Sequence, residues 1–251
     1  MHHFDHDGVS LAFADTGTGR ETVLVIHGFA SSYHVNWEAT GWTRALAEAG
    51  YRVVGIDNRG HGASEKLYDP EAYHPSLMAG DAVALLDHLE IADAHVLGYS
   101  MGARVSAFVG MEHGGRVRTL TFGGLGIGMV EGVGDWDVIA DALLAEDVMS
   151  ITDLRGMAFR KFADQTKSDR HALAACIRTS RQLIGADEIA HIDAPALVAV
   201  GTRDDIAGDP HKLAALLPNG EGFDIEGRDH MLAVGDRSFK KAVLEFLEAN
   251  P

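Results

Sequence analysis

A serine flanked by glycines lies near the middle of the chain, in the segment Gly98-Tyr99-Ser100-Met101-Gly102. It follows an apolar run, residues 94–97, that is typical of a buried strand, and it precedes apolar residues spaced as on one face of a helix. A sharp turn from strand to helix pushes the side chain at the turn outward, and small neighbours let the two elements approach closely. The pattern predicts that Ser100 is a nucleophile rather than an ordinary turn hydroxyl.

A serine hydroxyl is a weak nucleophile until a base removes its proton, and the base needs a carboxylate to orient it. His230, in the segment GRDHMLAV, follows the last predicted strand and precedes the last predicted helix. Asp204 follows the penultimate predicted strand, and only its spacing from Gly201 distinguishes it from the alternative, its neighbour Asp205. The predicted catalytic residues are therefore Ser100, Asp204 and His230.

Two backbone N–H groups are predicted to stabilise the negative charge that develops on a carbonyl oxygen under attack. One belongs to Phe29, in His27-Gly28-Phe29 after a predicted strand, and the other to Met101, the residue after the nucleophile. Two fixed donors of this kind can each lower the barrier by roughly 3–4 kcal/mol. Tyr99, beside the nucleophile, and Trp136, in a helical region, are predicted to contact the substrate, with core packing as the alternative for Trp136.

Short apolar runs alternate with amphipathic stretches, a pattern typical of a largely parallel sheet covered by helices. Residues 4–17 also predict a hairpin that turns at Asp7-Gly8. The predicted buried strands are 22–26, 52–56, 94–97, 118–122, 197–200 and 222–225.

From residue 125 to residue 190 no strand pattern is present, and helical patterns follow one another. This insertion predicts a helical cap between two parts of one α/β core, residues 1–124 and 191–251. The pair Arg160-Lys161 is predicted to lie on a solvated face of that cap rather than to bind an anion.

The composition limits the classes of partner. A formal net charge of −16 in 251 residues argues against nucleic acid and against an anionic membrane surface. Cys176 is the only cysteine, so no intrachain disulfide can form, and it is predicted to be a small core residue. The start MHHFDHDGVS has neither the features of a signal peptide nor companion ligands for a metal, so we expect a cytoplasmic protein without a metal site.

Five segments in order along the chain resemble the landmarks of the α/β-hydrolase fold superfamily, namely VLVIHGF, VVGIDNRGHGAS, AHVLGYSMGA, LVAVGTRDD and GRDHMLAV. The resemblance implies an α/β-hydrolase fold, with a mostly parallel sheet flanked by helices and a small helical cap. It implies a Ser–acid–His triad that requires no metal or organic cofactor. In this family the turn at 57–64 is mainly structural.

The resemblance also limits the reactions that the protein is expected to catalyse. Dehalogenases and epoxide hydrolases of this superfamily carry Asp where this chain has Ser100, so the serine favours attack on a carbonyl carbon. The first prediction is an esterase-like serine hydrolase that acts on a small-molecule carboxylic ester. The alternatives are a C–C bond hydrolase of ring-cleavage diketones, a cofactor-free perhydrolase, and a triad-bearing receptor of small ligands. The oligomeric state is left open.

Overall fold

A computed structural model describes residues 1–132 and 134–251 of the chain. Within these residues, eight strands form one mixed sheet in the order β1-β2-β4-β3-β5-β6-β7-β8. Their bounds are β1 (His2–His6), β2 (Val9–Thr16), β3 (Thr22–Ile26), β4 (Arg52–Ile56), β5 (Ala94–Tyr99), β6 (Val117–Gly123), β7 (Ala196–Gly201) and β8 (Gly220–Ile225).

Helices cover both faces of this sheet. The α-helices are α1 (Trp42–Glu48), α2 (Pro75–His88), α3 (Met101–Glu112), α4 (Gly128–Glu131), α5 (Asp137–Leu144), α6 (Leu154–Gln165), α7 (Arg170–Thr179), α8 (Ala186–Ile189), α9 (Pro210–Ala214), α10 (His230–Ala233) and α11 (Arg237–Ala249). A π-helical turn (His34–Glu38) and 3-10 turns (Pro70–Tyr73, Gly114–Arg116, Val148–Ser150) complete the helical elements. One buried cluster packs α2, α3 and α9 against the sheet, and a second packs α1 and α11 against its other face.

The predicted α/β-hydrolase fold is confirmed, and so are its individual strands. β3 and β4 have the predicted bounds, and the other predicted strands are extended by one or two residues at their ends. The hairpin turns at Asp7-Gly8, where both residues have positive φ (49° and 79°), as a two-residue hairpin loop requires. These two hairpin strands are the antiparallel part of the sheet.

The parallel part of the sheet positions the candidate catalytic residues. Strands β3 to β8 pair in parallel, so their carboxyl ends meet at one edge. Strands buried on both faces consist of continuous apolar residues, as β3 does with the sequence TVLVI, all of it buried. The loops that carry Phe29, Ser100, Asp204 and His230 leave β3, β5, β7 and β8 at this edge, which brings them together.

Between β6 and β7 the described residues form helices α4 to α8 and no strand. We call residues 125–190 the cap segment. A third buried cluster joins it to the carboxyl edge of the sheet, through Phe29, Met101, Ile139, Leu143, Leu173, Cys176 and Ile177. Cys176 is buried there, as predicted.

The prediction that Arg160 lies on a solvated face is wrong. Arg160 is only 4% exposed, and its Nη1 donates to the carbonyl oxygens of Ala142 and Ala145 at 3.1 and 2.7 Å. Its Nε donates to Asp164 at 3.1 Å. The arginine therefore joins the end of α5 to α6 because it satisfies carbonyl groups that a helix end leaves without partners. Lys161 is exposed, as predicted.

No helix of the described residues is long and apolar enough to cross a membrane.

Candidate active site

Ser100 occupies the turn between β5 and α3 in a strained backbone conformation. Its φ and ψ are 54° and −111°, a region that costs a non-glycine residue on the order of 1–3 kcal/mol. A Cβ on Gly98 would lie 2.2 Å from the carbonyl oxygen of Gly102, and one on Gly102 would lie 2.0 Å from that of Ile26. The two glycines therefore permit the close contact of strand, turn and helix that presents the serine.

Hydrogen bonds join Ser100, His230 and Asp204 in one line. Nδ1 of His230 is 2.7 Å from Oδ2 of Asp204, and Nε2 of His230 is 3.0 Å from Oγ of Ser100. Because a carboxylate can only accept, Nδ1 carries the proton and Nε2 is left as the acceptor for the serine hydroxyl. The Asp204 side chain has no exposure to solvent, whereas Asp205 is exposed. The structure thus brings together the three predicted side chains and places Asp205 outside this line.

Neighbouring groups hold His230 at the start of α10. Asp229 is the N-cap of this helix, and its carboxylate accepts from the N–H groups of Met231 and Leu232 at 3.1 and 2.8 Å. The Tyr99 hydroxyl donates to the carbonyl oxygen of His230 at 2.5 Å. Burial raises the pKa of Tyr99 well above its usual value, and the charges of Asp204 and Asp229 act in the same direction. Tyr99 therefore remains a hydrogen-bond donor that positions the histidine.

The N–H groups of Phe29 and Met101 lie at the ends of the loops that follow β3 and β5. Within the described part of the chain, neither N–H donates to another group. The N–H of the preceding residue, Gly28, is bound by Oδ1 of Asn36 at 2.7 Å. Asn36 lies in the π-helical turn, and no motif around it predicts this role. Among the described residues, both N–H groups are therefore left without a hydrogen-bond acceptor.

A buried pair of histidines supports the loop that carries Phe29. Nδ1 of His27 is 2.7 Å from the carbonyl oxygen of Gly28, and Nε2 of His27 accepts from the N–H of Asn58 at 2.9 Å. The ring of His61 lies 5.3 Å from that of His27. Burial lowers the pKa of His27 to about 4 and that of His61 to about 3, and each histidine is neutral in the folded protein at pH 7. Asn58 and His61 belong to the turn 57–64, for which a structural role was expected.

These depressed pKa values predict a loss of stability in mild acid. The unfolded chain binds a proton at each histidine near pH 6.5, whereas the folded chain does not until about pH 4 at His27 and pH 3 at His61. The contribution is therefore fully present above pH 6.5 and is lost as the pH falls toward 4. We expect the free energy of unfolding, measured with urea, to decrease by about 1.4 kcal/mol per pH unit for each histidine below pH 6.5.

The partly exposed His113 gives a matched control for this experiment. His113→Gln should leave the slope of the free energy of unfolding against pH unchanged. His61→Gln should reduce this slope by the contribution of about one proton. A stability that stays flat between pH 7 and pH 5 would contradict the assignment of both buried histidines as neutral.

Two adjoining cavities share the side chain of His230, and the smaller one is also lined by Ser100. The smaller measures about 40 Å³, is walled by Phe29, Tyr99 and Val234 among others, and contains the Ser100 and His230 side chains. The larger, which we call the groove, measures about 290 Å³ and runs from His230 along α6 to the protein surface. Its apolar lining consists of Leu154, Ala158, Phe159, Phe162, Ile206 and Met231.

Of the two residues predicted to contact substrate, only Tyr99 lines the smaller cavity. Trp136 lines neither cavity; its ring packs against Phe159 at 6.2 Å, behind the wall that Phe159 forms. Met231 and Val234 line the smaller cavity and were missed, although they follow His230 so closely that their proximity could have been inferred.

In the residues that the structure describes, no group of three or more His, Cys, Asp or Glu side chains could hold a metal ion. His6 of the N-terminal histidine cluster instead lies 2.8 Å from Asp81, which also binds Arg59 through both carboxylate oxygens at 2.7 and 2.8 Å.

Comparison with known proteins adds three findings. Over 96% of this chain and 97% of the relative, the chain is 28% identical to a non-heme chloroperoxidase of Kitasatospora aureofaciens. Over 49% of this chain and 43% of the relative, it is 34% identical to a 2-hydroxy-6-oxononadienedioate/2-hydroxy-6-oxononatrienedioate hydrolase of Burkholderia vietnamiensis. The structure is similar to that of a hydrolase from Pseudomonas aeruginosa, with a TM-score of 0.78, 26% identity, and coverage of 98% and 97% of the two chains.

A family model agrees with these similarities. Residues 21–150, which contain the loop of Phe29 and the turn of Ser100, match the model described as alpha/beta hydrolase fold. Together with the sheet order and the position of the nucleophile turn, this match identifies the family: the chain belongs to the α/β-hydrolase fold family.

Proposed function

We propose that the protein is a serine hydrolase that cleaves small carboxylic esters through an acyl-enzyme. The observation that carries the proposal is the line of hydrogen bonds from Asp204 through His230 to Ser100, at 2.7 and 3.0 Å, beside two unused N–H donors. We further propose that residues 125–190 act as a cap that encloses the substrate at this edge of the sheet.

Acylation begins when Oγ of Ser100 attacks the ester carbonyl carbon while Nε2 of His230 removes the hydroxyl proton. The carbonyl oxygen becomes an oxyanion, which the N–H groups of Phe29 and Met101 bind. Asp204 stabilises the imidazolium that forms. The tetrahedral intermediate then collapses, His230 gives its proton to the leaving alkoxide, and the alcohol departs from an acyl-Ser100 ester.

Deacylation repeats these steps with water as the nucleophile. His230 removes a proton from the water as it attacks the acyl carbon, and the same two N–H groups bind the second oxyanion. Collapse of this intermediate releases the carboxylic acid, and the proton held by His230 returns to Oγ of Ser100. The chain's own residues supply every proton transfer in this cycle.

The dimensions of the two cavities favour a small acyl group. A volume of about 40 Å³ at Ser100 holds roughly three water-sized groups, which matches a short acyl chain. The groove is far larger and mostly apolar, so it suits the alcohol portion of an ester. The preferred substrate is therefore an ester with a short acyl chain and a larger alcohol.

Initial rates on p-nitrophenyl esters of increasing acyl length test this proposal. We expect the acetate and butyrate to be cleaved with the highest kcat/KM and the octanoate at least about tenfold more slowly, because a long acyl chain exceeds the volume beside Ser100. A folded protein that cleaves none of these esters would overturn the proposal, and a ring-cleavage diketone would then test the C–C hydrolase alternative.

Similarity to the non-heme chloroperoxidase over nearly the whole chain favours a perhydrolase as second candidate. A carboxylic acid would acylate Ser100 with release of water, and hydrogen peroxide would then attack the acyl-enzyme to give a peracid. Incubation with acetate and hydrogen peroxide, followed by measurement of peracetic acid, distinguishes this activity from plain ester hydrolysis. Peracid formation should depend on Ser100.

A further inference from the structure

Three arginine side chains from different segments of the chain lie close together at the wall of the groove. Arg155 lines the groove, and its guanidinium carbon is 4.7 Å from the centroid of the Trp136 ring. The guanidinium carbon of Arg181 is 3.9 Å from the same ring and 5.7 Å from the ring of Phe29. Arg104, on α3, donates to the carbonyl oxygens of Met129 and Gln182. We call Arg104, Arg155 and Arg181 the arginine cluster.

The positive charges of this cluster act on one another. Burial, together with the neighbouring charges of Arg104 and Arg155, lowers the pKa of Arg181 to about 9. Burial likewise lowers the pKa of Arg104 to about 10. The guanidinium groups of Arg104 and Arg181 therefore remain charged at neutral pH, and their repulsion is a cost that a nearby anion would reduce.

Carboxylates are abundant in the chain, but among the described residues none forms an ion pair with Arg104 or Arg181. In the described part of the chain, neither residue forms an ion pair, and the Nε atom of each is buried without a hydrogen-bond partner. Many other arginines have a carboxylate partner, namely Arg52, Arg59, Arg116, Arg118, Arg160, Arg170 and Arg228. In a chain with a net charge of −16, two buried arginines without a carboxylate partner, Arg104 and Arg181, point to an anion supplied by a ligand.

The groove gives such an anion a place and an orientation. Arg155 supplies the positive charge in a wall that is otherwise apolar along α6. Two carboxylates, Asp205 and Asp229, also line the groove from loops outside α6; Asp229 already accepts from two N–H groups, and Asp205 is exposed. A ligand anion in the groove is therefore drawn toward α6 and away from the loops of Asp205 and Asp229.

The order of the reaction decides which part of the ester carries this anion. The acyl group stays bonded to Ser100 through both steps and occupies the small cavity, whereas the alcohol must leave. The groove is the larger space and reaches the surface, where Leu154 is 86% exposed and Met231 is 52% exposed. The alcohol portion therefore lies in the groove, beside Arg155.

We propose that the substrate is an ester whose alcohol portion ends in a carboxylate, which Arg155 binds and the charge of Arg181 attracts. This inference rests on the proposed ester hydrolysis and adds the chemical class of the leaving group: a hydroxy acid with an apolar chain between its hydroxyl and its carboxylate. In this view Trp136 is a positioning residue, because its ring packs against both guanidinium groups.

The test compares ω-acetoxyalkanoates, from acetoxypropanoate to acetoxyoctanoate, with alkyl acetates of the same chain length in a pH-stat. For the chain length that best spans the groove, we expect kcat/KM to favour the acid over the neutral ester by about tenfold or more, mainly through KM. Equal values at every length in the wild-type protein would overturn the inference, and this comparison requires no variant.

Substitutions then locate the effect. Arg155→Met should reduce the preference for the acid to about onefold, and Arg181→Met should reduce it about threefold. The control Lys161→Met removes the same charge from the exposed face of α6 and should leave the preference unchanged. A loss of preference as large in the Lys161 variant as in the Arg155 variant would contradict a specific contact in the groove.

A binding measurement separates this inference from the proposed function. The product analogue 6-hydroxyhexanoate should raise the Tm of the wild-type protein, whereas 1-hexanol should not, and Arg155→Met should abolish the difference. A shift of this kind in a protein that cleaves no ester would retain the anion site and reject the esterase. Ester cleavage without a Tm shift and without a preference for acids would retain the esterase and reject the anion site.

Discussion

Ser100→Ala is expected to lower kcat for ester hydrolysis by about 10⁴-fold or more, because no acyl-enzyme can form without the hydroxyl oxygen. The fold should be retained, because alanine keeps the Cβ that already occupies the strained turn at φ 54° and removes only one oxygen. Rates on p-nitrophenyl acetate, together with the urea midpoint of the same preparation, measure both effects.

Ser106→Ala is the matched control. Ser106 lies on α3, the helix that follows Ser100, and its hydroxyl donates to the carbonyl oxygen of Gly102 at 2.8 Å, away from the cavity. This variant should keep its activity. A fluorophosphonate, which phosphonylates serine nucleophiles with loss of fluoride, should label the wild-type protein and the Ser106 variant, but not the Ser100 variant. More than a few per cent of wild-type activity in Ser100→Ala would reject this serine as the nucleophile.

Asp204→Asn is expected to lower kcat by about 10³- to 10⁴-fold. An amide nitrogen facing Nδ1 of His230 favours the imidazole tautomer with its proton on Nε2, and that tautomer cannot accept the proton of Ser100. The amide also removes the negative charge that stabilises the imidazolium. Both effects act on the chemical step, so kcat should fall while KM changes little.

Asp205→Asn provides the comparison at the neighbouring position. Its carboxylate is exposed and is not hydrogen-bonded to His230, so kcat should stay within about threefold of the wild-type value. The reverse order of the two variants would transfer the orienting role to Asp205 and would require the loop after β7 to rearrange.

The strands and the order of the site residues could be predicted from sequence because both depend on local patterns. Residues 23–26 of β3 and 53–56 of β4 are continuous apolar runs, and the serine, acid and histidine each follow a predicted strand. Parallel pairing then brings these three loops to one edge, whatever the details of packing. The same reasoning favoured Asp204 over Asp205 only by its spacing from Gly201, because the different burial of the two side chains depends on how the loop after β7 bends.

The cap segment was predicted less well, for a physical reason. Its helices pack on one another, so the solvent exposure of a residue depends on tertiary contacts rather than on helical spacing. Arg160 looked like a surface residue, yet the end of α5 supplies carbonyl oxygens that hold its guanidinium in the interior. Trp136 looked like a substrate contact, yet Phe159 separates it from the cavity at Ser100.

Strand β8 lies at one border of the sheet and pairs only with β7 among the described strands. The five residues of β8 before the buried Ile225 are all partly exposed or exposed, and a border strand with few buried contacts opens at a lower free energy than the centre of a domain. His230 follows this strand, whereas Ser100 follows the central strand β5. On heating, local detachment of β8 would therefore separate the base from the nucleophile while most of the molecule is still folded, so that inactivation precedes the cooperative melting of the domain.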